Sequence, residues 1–328
     1  MTAEAAIVTL REVAPLPLTP DTSVVRLALD DRGAPMVAAT PREFADVARG
    51  TGAGSGLAER PYPVTVHRCE RGSWTSLGTL ICDVVSPHLQ VLPDGAIALI
   101  SPFCRRISAD VMEETAVRYR DGVPERRFAL GDGIEDVQVS GDGVVWAAFS
   151  DRGTTGDFGV AGWGRLGRDE WVDPVGMSGL VAFTGDGTPV AELDPPAGLT
   201  HAVDCFALNV WDREVWVSYF PDFAIVCRSA TGQLRAWSMP VAGSDAICTD
   251  GKRAIAYTSY GIHRGRCVQV TLADGQAELP VPLDARLPDG APLRSAQWVR
   301  GKGAALHAVA GSRWYRLDLD DVAPRPAC

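Results

Sequence analysis

Residues 131–149 run Gly-Asp-Gly-Ile-Glu-Asp-Val-Gln-Val-Ser-Gly-Asp-Gly-Val-Val-Trp-Ala-Ala-Phe, and weaker copies of this stretch recur along the chain. It reads as a strand, a tight Gly-Asp-Gly turn and a second strand. Five further copies fall at 23–38, 88–100, 203–219, 245–259 and 295–309. Each leads into a second hairpin, clearest where 179–183 and 189–193 flank Gly185-Asp186-Gly187. Four short strands in every ~40–60 residues is the spacing of a propeller blade. Helical periodicity is nearly absent, and 41–49 is the one short helix predicted. The last copy has room for only three strands. The N-terminal run 5–10 is therefore expected to pair beside Trp314-Tyr315-Arg316-Leu317 and supply the missing outer strand, a closure that removes two exposed edges. The expected fold is all-β: a six-bladed propeller of four-stranded antiparallel blades, one domain over 1–328.

Composition narrows the class of partner. The chain has 328 residues, 46% hydrophobic and 22% charged, which is globular material. Its net charge of −10 argues against nucleic acid, which needs a basic stripe. The N-terminus lacks the basic region of a secretory signal, and no stretch reaches the ~18–20 apolar residues of a membrane span. The eight cysteines form no zinc spacing, and Cys205, Cys227, Cys248 and Cys267 lie inside apparent strands, so those four are expected as buried free thiols. These features predict a cytoplasmic protein away from membranes, a monomer or weak homo-oligomer with a small-molecule ligand as its partner.

Insertions at 40–60, 102–114 and 151–178 each follow the second strand of a unit, and in a propeller such loops share one face. The position seven residues before the turn glycine is polar: Arg26, His88 and Asp136, then Asp204 with His201 upstream once a longer turn is allowed for, Ser244-Asp245 in the fifth copy, and Arg294 or Ser295 in the sixth. First strands line a propeller's channel, so these side chains are expected to converge at its mouth. Three readings stay open for the carboxylates of Glu135, Asp136, Asp204 and Asp245. They would bind a hard divalent cation such as calcium, act as acid or base through a raised pKa, or cap hairpin amides and bridge blades. Phe103, Phe149, Tyr219 and Trp163 are candidate walls for a sugar or flat organic ligand, or else cover blade ends. His201, Tyr260 and His263 are candidate proton carriers by residue type and loop position. Gly162 to Gly167 has a G-x-G-x-x-G spacing but lies inside an insertion, not between a strand and a helix, so it is not read as a nucleotide site.

The repeat Asp136-Val-Gln-Val-Ser-Gly-Asp-Gly-Val-Val-Trp146 resembles the blades of six-bladed propellers of the gluconolactonase and senescence-marker-type superfamily, and more loosely NHL-type propellers. The resemblance covers the whole chain as architecture. It implies a divalent cation held at the channel mouth by a Glu, two Asn and an Asp, with Glu135, Asp204 and Asp245 filling acidic places. The Asn-Asp pair of that pattern is absent, and Asn209, the only Asn in the chain, is read at a turn. The expected function is a small-molecule hydrolase or lyase, lactonase-like and divalent-cation dependent; the alternative is a non-catalytic propeller that binds a ligand or a protein.

Overall fold

A computed structural model describes residues 5–50, 55–108, 110–156, 165–166, 170–259, 264–273 and 275–322. The fold is a six-bladed β-propeller of antiparallel four-stranded blades, one of them carrying a fifth strand. The chain divides into two compact units: Met1–Leu16, Pro196–Thr200 and Phe206–Cys328 in one, Pro17–Pro195 and His201–Cys205 in the other.

In the second of these, blade 1 consists of Thr22–Leu29, Pro35–Pro41, Leu57–Glu70 and Ser73–Val84. Blade 2 consists of His88–Val91, Ile97–Ile100, Ala116–Arg120 and Val123–Phe128. Blade 3 consists of Ile134–Val139, Val145–Phe149, Leu180–Phe183 and Pro189–Glu192. Blade 4 consists of Asp204–Trp211, Glu214–Phe220, Ile225–Arg228 and Leu234–Trp237, and belongs to the first unit from Phe206 onward. Blade 5 holds Ala246–Thr249, Arg253–Thr258, Arg266–Ala273 and Gln276–Arg286, and blade 6 holds Trp298–Lys302, Ala305–Ala310 and Arg313–Asp318.

One turn geometry is used repeatedly, which is why the repeat shows in the sequence. In blade 3, Gly143 N–H donates to Ser140 O at 2.9 Å and Ser140 N–H to Val144 O at 3.0 Å. Asp30 to Ala34, Leu92 to Ala96, Thr184 to Thr188 and Ser229 to Gln233 repeat this pair of bonds. The last residue of each loop needs a left-handed backbone, and Gly143 sits at φ +86°. Second strands do not alternate: Val145–Phe149 is buried throughout, as are Ile97–Ile100 and nearly all of Pro35–Pro41. Such a strand is covered on both faces, so its residues are apolar and small. The cores lie between neighbouring blades. Met36, Val64, Val66 and Leu80 of blade 1 pack with Leu89, Leu99 and Tyr119 of blade 2, and Trp216 and Trp237 of blade 4 stack 5.5 Å apart beside Ile247 and Val268 of blade 5. Each large side chain so buried contributes roughly 1.5–3 kcal/mol.

Closure is by the N-terminus, one segment later than the sequence suggests. Arg11–Pro15 pairs antiparallel with Arg313–Asp318 and is the outer strand of blade 6. The preceding Ala6–Thr9 runs parallel to Gln276–Arg286 as a fifth strand of blade 5. Between them Leu10, 1% exposed, donates its N–H to Arg286 O at 2.8 Å, so a buried residue divides the run into two strands. The predicted helix is present as Arg42–Phe44 and Ala45–Arg49; a second, Asp151–Thr155, was not anticipated. Cys205, Cys227, Cys248 and Cys267 are buried free thiols, as expected, and so are Cys69, Cys82 and Cys104. Among the described residues no helix is long and apolar enough to cross a membrane.

Asn209 is not at a turn. It lies wholly buried in the first strand of blade 4, where its side chain donates to Gly303 O at 2.9 Å and accepts from Gly303 N–H at 2.8 Å. The carboxamide thus acts as a substitute peptide, completing both hydrogen bonds of a residue between blades 4 and 6. Gly303 O also accepts the Thr249 N–H at 2.9 Å, so Asn209→Ala should leave one buried backbone group, the Gly303 N–H, unpaired and cost roughly 1–3 kcal/mol. Urea unfolding would show this as a lower midpoint at unchanged slope; a loss under about 0.5 kcal/mol, the size of an ordinary surface change, would contradict it.

Candidate functional site

The first strands of blades 1, 2 and 3 lie side by side, and the aligned polar position behaves in a way that residue spacing alone does not show. The pairing register slips between Val24 and Arg26 in blade 1 and between Ile134 and Asp136 in blade 3. Val25 and Glu135 are therefore the extra residues of two β-bulges at matching places. A bulge re-aims a side chain that regular pairing would have directed elsewhere.

His88, 3% exposed in the regular first strand of blade 2, links its two neighbours. Its Nδ1 contacts the Arg26 guanidinium and its Nε2 lies 3.3 Å from Ile134 O. A guanidinium only donates, so Nδ1 accepts and the proton sits on Nε2, donated to the carbonyl. One strand step further, Gln90 Nε2 donates to Val137 O at 2.7 Å. Arg26, His88 and the bulge that carries Glu135 are thus joined across three blades.

Asp204 stands at the start of the next first strand, and two other carboxylates act on its charge there. Burial, then the charges of Asp151 and Glu135, push its carboxyl from 3.8 up to about 6, against a hydrogen bond from the Asp151 N–H that pulls it down. Asp151 opens the short helix Asp151–Thr155, whose Thr154 hydroxyl donates to Val203 O. The helix reaches this place because glycines allow it. A Cβ on Gly133 would meet Gly153 N at 2.3 Å, and a Cβ on Gly153 would meet Asp132 O at 2.5 Å. Next to Asp204, Cys205 donates from Sγ to Gly179 O at 3.1 Å, and burial pushes its thiol up to about 12.

The three insertions touch. Glu113 accepts from the Ser55 hydroxyl at 2.9 Å and the Gly56 N–H at 3.1 Å, which ties the first to the second. Arg106 donates to Asp173 O at 3.2 Å, tying the second to the third. Arg152 Nε donates to Asp132 Oδ2 at 2.5 Å, and its guanidinium carbon lies 5.5 Å from the centre of the Phe103 ring. Asp132 also accepts from the Cys104 N–H at 2.9 Å; burial raises its pKa against these bonds.

The remaining candidates are placed as follows. Asp136, half-buried, accepts the Val137 N–H at 2.9 Å and is not among the charges acting on Asp204. His201 is exposed, three residues before Asp204. Phe149 and Tyr219 are wholly buried: Phe149 belongs to the core of blades 2 and 3, and the Tyr219 hydroxyl donates to Thr200 O at 3.2 Å. A ring with no exposed face offers no wall to a ligand, whereas Phe103 is half-buried. Asp245 belongs to the other unit, where its carboxylate accepts the Ser259 N–H. Tyr260, His263 and Trp163 lie outside the described residues. Among the described residues no three His, Cys, Asp or Glu side chains come together in a way that would hold a metal ion, so the donor set implied by the resemblance is not assembled there. Reasoning from sequence missed Asp151, Asp132 and Arg152; their one signal was the Ser150-Asp151 step, a helix start, at the head of the third insertion.

No family model matches the chain, and no curated protein matches it. Several solved propellers resemble it. A virginiamycin B lyase from Staphylococcus aureus, solved with quinupristin, is 13% identical with a TM-score of 0.47, covering 94% of this chain and 99% of its own. A gluconolactonase from Xanthomonas campestris is 16% identical at a TM-score of 0.41, covering 97% and 99%. A functionally unknown protein from Desulfotomaculum acetoxidans is 11% identical at 0.49, covering 89% and 81%. None of the three reaches a similarity that carries an argument about the site.

The raised carboxyl of Asp204 has a sign in stability. Between its ordinary value and about 6 the folded chain holds a proton that the unfolded chain releases, so the proton contributes stability that is full below the ordinary value and falls as pH rises across this window. That contribution disappears as pH rises through about 6, and above it the folded state carries a destabilising charge. Asp204→Asn should therefore raise the melting temperature at about pH 8 and leave it nearly unchanged at about pH 4. An equal shift at both, or a loss at about pH 8, would contradict the carboxylate cluster.

Proposed function

We propose that this chain is a small-molecule hydrolase or lyase in which Asp204 moves the proton. The observation that supports the reading is the carboxyl of Asp204, which burial first and then the charges of Asp151 and Glu135 bring to about 6. A base is most useful when its pKa lies just below the working pH, so that it is mostly ionised yet still binds a proton well. An ordinary aspartate near 3.8 fails the second condition; Asp204 meets both. Its negative neighbours strengthen its hold on a proton taken from water, as a hydrolase requires, or from carbon, as a lyase requires. His201, exposed and three residues upstream, is the candidate to return that proton.

Arg26 and His88 have a supporting part in this reading, holding the strand wall from which Glu135 projects. No step is assigned to a divalent cation. The alternative, a propeller that binds without chemistry, relied on aromatic walls, and the burial of Phe149 and Tyr219 leaves it with less support.

The test is turnover of simple esters, lactones and β-elimination substrates by wild type and Asp204→Asn, with and without a chelator. General-base loss should lower kcat by roughly 100-fold or more, and the wild-type kcat/KM profile should fall on its acid side near pH 6. An Asp204→Asn variant as active as wild type would overturn the assignment.

A further inference from the structure

The guanidinium of Arg152 is fixed on two sides and used on one. Its Nε edge is bound to Asp132, whose side chain is only 2% exposed, and its plane lies over Phe103. Asp132 is itself held by the Cys104 N–H, so the whole arrangement is rigid. The Arg152 side chain is nevertheless 32% exposed. The edge bound to Asp132 is that of Nε, and among the described residues no acceptor is bonded to either Nη. An arginine serving only as an ion-pair staple would be expected to use its fork in a bidentate contact, as arginines matched to carboxylates do. Here the carboxylate takes one edge and leaves the other presented.

We propose that the outer edge of Arg152 is a binding site for the carboxylate of a small planar ligand, with Phe103 as its apolar floor. Both conditions for tight recognition by a fork are met. The two Nη groups supply parallel N–H donors of the kind a carboxylate accepts. The side-chain entropy that anion binding would otherwise cost is already lost to Asp132 and Phe103. Asp132 neutralises the standing charge of the guanidinium without blocking its donors, so the site favours a directed hydrogen-bonding anion over a diffuse cloud of counterions. Arg152 follows Asp151, whose N–H is bonded to Asp204, so the anchor and the acid group are carried by the same short helix.

Benzoate is the probe, with benzamide as its neutral isostere, read by calorimetric titration and thermal shift on the full chain. Wild type is expected to bind benzoate and not benzamide. Arg152→Lys keeps a charge for Asp132 but loses the fork, and should weaken benzoate about tenfold or more. Phe103→Leu leaves the ion pair intact and is the arm that decides should the lysine variant not fold; benzoate should weaken severalfold. No benzoate binding by wild type, equal binding of benzamide, or unchanged affinity in a folded variant overturns the proposal. The readout needs no turnover, so it holds or fails independently of the role given to Asp204.

Discussion

Coverage of the second strands on both faces is the constraint from which the rest of the molecule follows. Val145–Phe149 and its counterparts are buried end to end, so each blade depends on its neighbours for the apolar surface that a single four-stranded sheet would leave wet. Polar groups are excluded from the middle of a blade and confined to first strands and to loops. Chemistry, if the chain performs any, has to be built from those two places. The Asp204, Asp151 and Glu135 group is such a construction: two first-strand positions and one residue of an insertion.

Three polar residues that enter the interior have partners that explain them. Asn209 completes the backbone of Gly303. His307, 1% exposed in blade 6, accepts from Trp314 Nε1 at 3.1 Å, and burial pushes its pKa down to about 3, so it stays neutral. Asp132 is bonded to Arg152 and to a backbone amide. Asp204 differs in kind, because the neighbours that act on its charge are themselves acids. That contrast separates a carboxylate held for structure from one whose protonation is poised.

The blade repeat was legible because a local turn encodes it: a glycine at positive φ as the last residue of a three-residue loop leaves the same mark at Gly33, Gly95 and Gly143. The short helix at 42–49 and the closing N-terminus were legible for similar reasons, one from pattern and the other from counting strands. What was not legible depends on register and on long-range contact. The bulge that re-aims Glu135 changes no residue type. Asp132 and Arg152 meet across 20 residues only because Gly133 and Gly153 let a helix lie against a strand entrance. Phe149 and Tyr219 read as site aromatics because they end second strands, but the covering of those strands on both faces takes them into the core.

The account turns on one carboxyl group. A carbon-detected NMR titration of Asp204, assigned through its loss in Asp204→Asn, measures it directly. The account predicts a midpoint near 6 in wild type and a lower one in Glu135→Gln, where one of the two neighbouring charges is removed. A wild-type midpoint at the ordinary value of 3.8, or one that does not move when Glu135 is neutralised, would contradict it.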